Sequence, residues 1–167
     1  MLMSHDALRI RLAQADDACA IGVLSRRVVR RWVLPEQSPK IGRELLLRLS
    51  AGSLRQKIIE GQRFHLAYLG EVLVGVAAMR DDSHLLHLYV GTRYQGRGIA
   101  RRLWQRTLND AVRRAGTRRF TLNATRCAVP VYVRLGFHAE GPERPSPSGV
   151  ITTPMSLRLT TRRNKQA

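Results

Sequence analysis

The sequence predicts a single α/β domain, of the α+β kind, and three observations carry that prediction. Two apolar segments, "FHLAYLG" and "EVLVGVAAM", meet at a turn at Gly70–Glu71, the signature of an antiparallel hairpin. A third strand, "SHLLHLYV", runs into a glycine loop and then into a long amphipathic helix. The length of 167 residues suits one domain able to bury a core of its own.

Taken in order, "ALRIRLA" alternates apolar and polar residues and reads as a first strand. "DDACAIGVLSRRVVRRWV" reads as a helix, with Asp16 and Asp17 placed to suit its positive N-terminal end. Pro35 and Pro39 are expected to break the chain. "GRELLLRLSAGSLRQKIIEG" then supplies one or two short helices, interrupted near Gly52 and ended by Gly61. After the hairpin, "RDDS" turns the chain into "SHLLHLYV". The long helix "GIARRLWQRTLNDAVRRAG" places Ala100, Leu103, Trp104, Leu108, Ala111 and Ala115 on one face, with Arg102, Arg106 and Arg113 opposite. Gly116 closes it. "RRFTLNAT" is a strand and "VPVYVRLG" a short helix with proline in its first turn. "FHAEG" and "TTPMSLRL" are the last strands, joined by the loop "GPERPSPSG". The count is about seven strands and about four helices. The domain is expected over residues 1–160, with a basic tail over 161–167.

No apolar run approaches the ~20 residues of a membrane helix, and the N-terminus lacks a signal-type stretch. A soluble, cytoplasmic protein with no membrane partner is expected. Cys19 and Cys127 show no C-x-x-C spacing, so they are expected to be reduced and packed, with no metal. The formal charge of +17 is nearly all arginine, since lysine occurs only at Lys40, Lys57 and Lys165. Such a field suits anionic partners, nucleic acid among them. Arginine scattered through every segment without a block fits solvated faces equally well.

The segment "YQGRGIA" lies between strand and long helix. A helix N-terminus presents unpaired N–H groups and attracts phosphate, and glycine lets the backbone approach a ligand closely. Arg97 adds a fixed charge. A dinucleotide fingerprint is ruled against, because Arg101 stands where G-x-G-x-x-G needs its third glycine and the preceding elements are hairpins. No G-x-x-x-x-G-K-[ST] loop occurs.

Gln95-Gly96-Arg97-Gly98-Ile99-Ala100 matches the Q/R-x-x-G-x-G/A loop of the GCN5-related N-acetyltransferases (GNAT) in full. "NATRCAVPVYVRLGF" looks like that family's fifth strand and following helix, and "PMSLRL" fits its last strand. The sequence therefore resembles this family over nearly its whole length, least over residues 13–62. The resemblance implies a mixed, mostly antiparallel, twisted sheet with a V-shaped gap between the fourth and fifth strands, where acetyl-coenzyme A binds. It implies that the backbone of Leu88, Tyr89 and Val90 pairs with the pantetheine arm. The amides of Gln95, Gly96, Arg97, Gly98, Ile99 and Ala100 would hold the pyrophosphate, and Asn123 would bond the pantetheine from the other strand.

Acyl transfer to an amine requires removal of a proton from the ammonium and protonation of the leaving thiolate. The oxyanion between these steps needs a donor, such as an N–H at the end of the fourth strand. By resemblance Tyr132 is the general acid. The family's usual glutamate base is replaced by His87, whose ordinary pKa near ~6.5 makes it a candidate base. Strand alternation puts His84 and His87 on opposite faces, a poor metal pair. The implied function is transfer of an acetyl group to a primary amine of a small molecule or protein. A nucleic-acid-associated acceptor, such as aminoacyl-tRNA or a ribosomal protein, and a non-catalytic coenzyme-binding regulatory domain stay open, as does a homodimer. Residues 16–61 and 139–150 are expected to shape the acceptor pocket. Carboxylates there are few (Glu36, Glu44, Glu60, Glu140, Glu143), which matches a polycationic acceptor poorly.

Overall fold

The hairpin anticipated from the sequence is the centre of a larger sheet. The computed structural model describes residues 7–160, so the basic tail lies outside the described residues. Strands β1 (Leu8–Leu12), β2 (Arg63–Leu69), β3 (Val72–Arg80) and β4 (His84–Val90) pair antiparallel in sequence order. β5 (Arg119–Ala124) joins β4 in parallel, and β8 (Ile151–Arg158) pairs antiparallel with β5. The short strands β6 (His138–Ala139) and β7 (Arg144–Pro145) both pair with β8. The sheet is thus mixed and mostly antiparallel, with one parallel pair.

Five α-helices cover its two faces. α1 (Ala18–Trp32), α2 (Pro39–Arg48) and α3 (Ala51–Ile59) lie on one face, where Ile21, Val29, Leu49 and Leu54 pack against Phe64, Leu66, Val76 and Ala78. On the other face are α4 (Ile99–Ala115) and α5 (Val129–Arg134). There Leu103, Trp104 and Tyr132 pack with Ala77, Leu85, Phe120 and Phe137. The Trp104 ring meets Phe120 edge-on at 5.3 Å between centroids, a favoured aromatic geometry. Gly75 sits beneath α4, and a Cβ on it would come within 2.7 Å of Leu103 Cδ1, so helix and sheet approach closely there.

Several expectations are corrected. The described residues form eight strands where about seven were expected, because Arg144–Pro145 in the proline-rich loop pairs with β8. The described residues form five α-helices, the two-helix alternative read over residues 42–61 being the one found, with α2 and α3 separate. Their break, expected near Gly52, falls at Leu49–Ser50, where the Ser50 hydroxyl accepts from the Ser53 N–H at 3.2 Å and caps α3. Pro39 does not break the chain. It opens α2, where its missing N–H costs nothing, behind a Ser38 cap that accepts from the Ile41 N–H at 3.3 Å. Cys19 and Cys127 are free, as expected, but both are exposed and not packed.

α4 also hides a charge that apolar periodicity does not reveal. Asp110 is buried against β2, where Arg63 Nε and Nη2 donate to its two carboxylate oxygens at 2.6 and 3.1 Å. Burial raises the Asp110 pKa, but the Arg63 hydrogen bonds and the charges of Arg63, His65 and Arg114 outweigh it and leave it below the usual carboxylate range. His65 Nε2 lies 3.8 Å away, yet burial lowers its pKa to about 4, so this contact is not an ion pair at neutral pH. We expect Asp110→Ala to destabilise the fold by ~2 kcal/mol, the scale of losing hydrogen bonds to a charged group. Because the folded-state pKa is depressed, this contribution is complete above the unfolded value of ~3.9 and is lost as pH falls through the folded value. Urea unfolding of both proteins at pH 7 and pH 3 checks this: the gap between them should narrow at pH 3.

Candidate active site

The register of β4 builds the site. His87 pairs with Ala78 and Leu85 with Met79, which leaves Leu86 as an extra residue, a β-bulge. The bulge resets the alternation. His84 pairs with Arg80 on the face shared by Ala78 and His87, so the two histidines lie on the same face, contrary to the simple alternation expected. His84 Nδ1 is 2.7 Å from Thr121 Oγ1, and no group of three or more metal-type ligands occurs among the described residues.

β4 pairs with β5 only at His84↔Thr121 and Leu85↔Leu122. Beyond these pairs both strands continue, to Val90 and Ala124, each held on its far side by β3 or β8. The result is a V-shaped gap, and it opens into a cleft of about 1090 Å³. Leu88, Tyr89 and Val90 line one wall and Asn123 the other. His87 and Tyr132 also line the cleft.

The loop after β4 turns the chain into α4. Gly96 and Gly98 have φ of +77° and +76°, a left-handed conformation that disfavours any side chain. A Cβ at either would meet nothing within 4 Å, so conformation and not crowding requires glycine here. The first helical hydrogen bond runs from the Arg102 N–H to the Gly98 carbonyl, which leaves the amides of Ile99, Ala100 and Arg101 without intrahelical partners. Gly96, Gly98, Ile99 and Ala100 line the cleft. Gln95 lines it too, but its side-chain Nε2 donates to the Val90 carbonyl at 3.1 Å and staples the loop to the strand. Arg97 is not among the lining residues. Its guanidinium lies 5.5 Å from the Tyr94 ring centroid. Arg101, which stands where a dinucleotide loop would have glycine, does line the cleft. The cradle of free amides at the start of a long helix fits a pyrophosphate, and the unpaired β5-side edge of β4 fits an amide-bearing arm.

Where the two walls of the V diverge, three titratable rings gather. His87 stacks on Tyr89 at 5.2 Å between centroids, and its Nδ1 is 3.2 Å from the Tyr89 hydroxyl. Its Nε2 is buried with no partner. Burial, then the charge of Lys57, lowers the His87 pKa to about 4, against a smaller opposing effect of a backbone hydrogen bond at Leu86. Burial raises the phenols of Tyr89 and Tyr132, and for Tyr132 the neighbouring Tyr89 and Cys127 add to the rise. All three rings are neutral at pH 7. Cys127, expected to pack, is exposed on the cleft, with its thiol donating to the Trp32 carbonyl at 3.3 Å.

Residues of the segments 16–61 and 139–150, expected to shape the acceptor pocket, do line the cleft, joined by Gln62. Among them are Arg48, Lys57 and the Ser146–Ser148 turn, with Trp32 and Val33 from the end of α1, where Trp32 Nε1 donates to Thr92 Oγ1 at 3.3 Å beside the glycine loop. No motif marks these residues; only the packing of α1–α3 over β4 brings them there.

The chain belongs to the GNAT acetyltransferase family: the family model described as "Acetyltransferase (GNAT) domain" matches residues 33–159. No curated protein matches it. Among solved structures it is similar to a GCN5-related N-acetyltransferase from Rhodopseudomonas palustris, at 22% identity and TM-score 0.75, covering 95% of this chain and 99% of that one. It is also similar to the PaiA N-acetyltransferase from Thermoplasma acidophilum in complex with coenzyme A (17% identity, TM-score 0.76, 91% and 99% covered). A third similar structure is YncA from Salmonella typhimurium with acetyl-CoA (20% identity, TM-score 0.64, 93% and 95% covered). At these identities the likeness shows the shared fold.

Two outcomes are expected at this site. The His87 imidazole should titrate with a midpoint about 4, well below the ordinary 6.5, so its NMR ring signals should stay constant from pH 8 to 5.5. A lowered folded-state histidine pKa means that the unfolded chain binds the proton first. His87 therefore contributes stability that is complete above ~6.5 and declines as pH falls from there toward 4. Gly98→Ala should cost roughly 1 kcal/mol through its positive φ, without a clash, and thermal unfolding checks this.

Proposed function

We propose that the protein transfers the acetyl group of acetyl-coenzyme A to a primary amine of a small molecule or protein. The observation that carries this reading is the joint presence of the αL-glycine cradle and the two-pair β4–β5 fork, with Tyr132 lining the cleft between them. Bound acetyl-coenzyme A would supply the activated thioester. The amides of Gly96, Gly98, Ile99, Ala100 and Gln95 would bind its pyrophosphate, with Arg97 contributing charge from outside the cleft. Leu88, Tyr89, Val90 and Asn123 would hold the pantetheine.

Tyr132 is the general acid in this reading. Burial keeps its phenol protonated across the working pH range, so the proton is present when a thiolate needs it. His87 takes the base position as a neutral imidazole. With its pKa near 4 it is a weak base, suited to holding the amine or a water through the free Nε2 and less to storing a proton. The electropositive far end of the cleft does part of the same work. Arg48 and Lys57 disfavour an ammonium beside them and so increase the fraction of reactive amine.

The regulatory alternative, a coenzyme-binding domain without turnover, predicts binding and no thiol release. Incubation with acetyl-coenzyme A and a panel of amines, read as free thiol, separates the two. We expect release, and we expect Tyr132→Phe to lower kcat by roughly ten- to a thousandfold while calorimetric coenzyme binding is unchanged. Full turnover by the Phe variant would show that the thiolate leaves unaided. For His87→Gln we expect a lower rate with no change in the shape of the pH profile between 6 and 9, since the group does not titrate there.

A further inference from the structure

The lining of the cleft carries charge of one sign, although Lys57, Gln62 and Arg80 also border a smaller hollow lined by Glu60, Asp81 and Asp82. Among the described residues no aspartate or glutamate lines the cleft, while Arg48, Lys57 and Arg80 do, beside His84 and His87. Arg80 is engaged at the rim with Asp81 at 3.6 Å. Arg48 and Lys57 take part in no ion pair among the described residues. The nearby carboxylates lie on the neighbouring hollow: Asp82 pairs with Arg114 at 2.6 Å and Asp81 with Arg80, while Glu60 accepts from the neutral Gln56 amide at 2.8 Å.

Two further features ask for an acceptor of hydrogen bonds. Gln62 Nε2 is buried with no partner, and Gln62 lines the cleft. Lys57 is half-buried, and its ammonium is destabilised by burial and by the charge of Arg48. Unpaired buried donors are costly, and an anion relieves both at once. The place is set relative to the chemistry, because the Lys57 charge also acts on His87. The space is bounded as well. The Gln37 side chain accepts from the Ile151 N–H at 3.0 Å, and Gly149 sits against Ile41, which ties the strand β8 end of the cleft to α2.

We infer that the acceptor is a small primary amine that itself carries a carboxylate or a phosphate, with the anion held by Lys57, Gln62 and Arg48 and the amine directed to His87. The amine half of this statement rests on the acetyltransferase reading; the anion site does not. An ammonium alone meets only like charge along the cleft lining itself. A tethered anion supplies the attraction that brings the amine in, and the same cations then favour its neutral form. A polyamine gains nothing from this lining.

The test uses matched amines with acetyl-coenzyme A: 2-phenylethylamine against phenylalanine, ethanolamine against O-phosphoethanolamine, and cadaverine as the cationic member. We expect kcat/KM to favour the anionic member of at least one pair by roughly ten- to a hundredfold, the scale of one charge-assisted hydrogen bond, with cadaverine slowest. Lys57→Gln with Arg48→Gln should erase the preference through KM, and Lys57→Glu should shift it toward cadaverine. Calorimetric titration of O-phosphoethanolamine and phenylalanine in the presence of coenzyme A gives the second readout. Binding that the double variant loses, with no thiol released from any amine, would support the anion site and remove the transferase reading. Thiol release favouring neutral or cationic amines, an undiminished anion preference in the double variant, or no binding of either anionic amine would overturn the inference.

Discussion

The parallel contact between β4 and β5 lasts for two residue pairs, and the rest of the molecule is arranged around its ending. A continuous ladder would seal the sheet and leave no cleft. Here β4 is committed to β3 and β5 to β8, so both strands stay ordered after they part. The bulge at Leu86 increases the local twist and turns His87 onto the face covered by α1–α3. Tyr132 comes from the core on the opposite face, and Tyr89 from the α1–α3 side. Only the opening between the strands lets groups from both cores reach one space.

That space is unusual in its charge balance. Its rings are neutral because they are buried, and among the described residues that line it the fixed charges are all positive. The loop end suits a pyrophosphate by backbone amides and α4, and the far end offers free cations from α2 and α3. The same field that would draw an anion in lowers the affinity of any nearby nitrogen for its proton. Binding and activation are therefore linked through electrostatics in the proposed reaction, without a strong base at His87.

Much of this was legible beforehand. The glycine pair, the strand before it and the helix after it specify a phosphate-type cradle by local backbone rules alone. Gly96 and Gly98 indeed sit at positive φ. The amphipathic face of α4 and the hairpin β2–β3 followed from periodicity. What the sequence did not reveal is equally instructive. Asp110 lies on the buried side of α4 and is tolerated because Arg63, far away in sequence, supplies its partner. The α2–α3 break follows the Ser50 cap and not the more visible Gly52. β7 escaped notice because a two-residue strand has no period to detect.

The sequence by itself determined what depends on neighbours along the chain: helices and their caps, the hairpin, and the conformation of the loop from Gln95 to Ala100. Those features are fixed by φ, hydrogen bonding and side-chain spacing within a few residues. Tertiary structure alone decided the rest. The phase of β4 after Leu85 depends on its register with β3, so alternation misplaced His84 relative to His87. The His87 pKa near 4 depends on burial beneath other elements and on the charge of Lys57, thirty positions away. The cationic end of the cleft gathers Arg48, Lys57 and Gln62 from segments that carry no motif. Solvent exclusion and charge proximity are properties of three-dimensional neighbours, and a linear pattern does not record them.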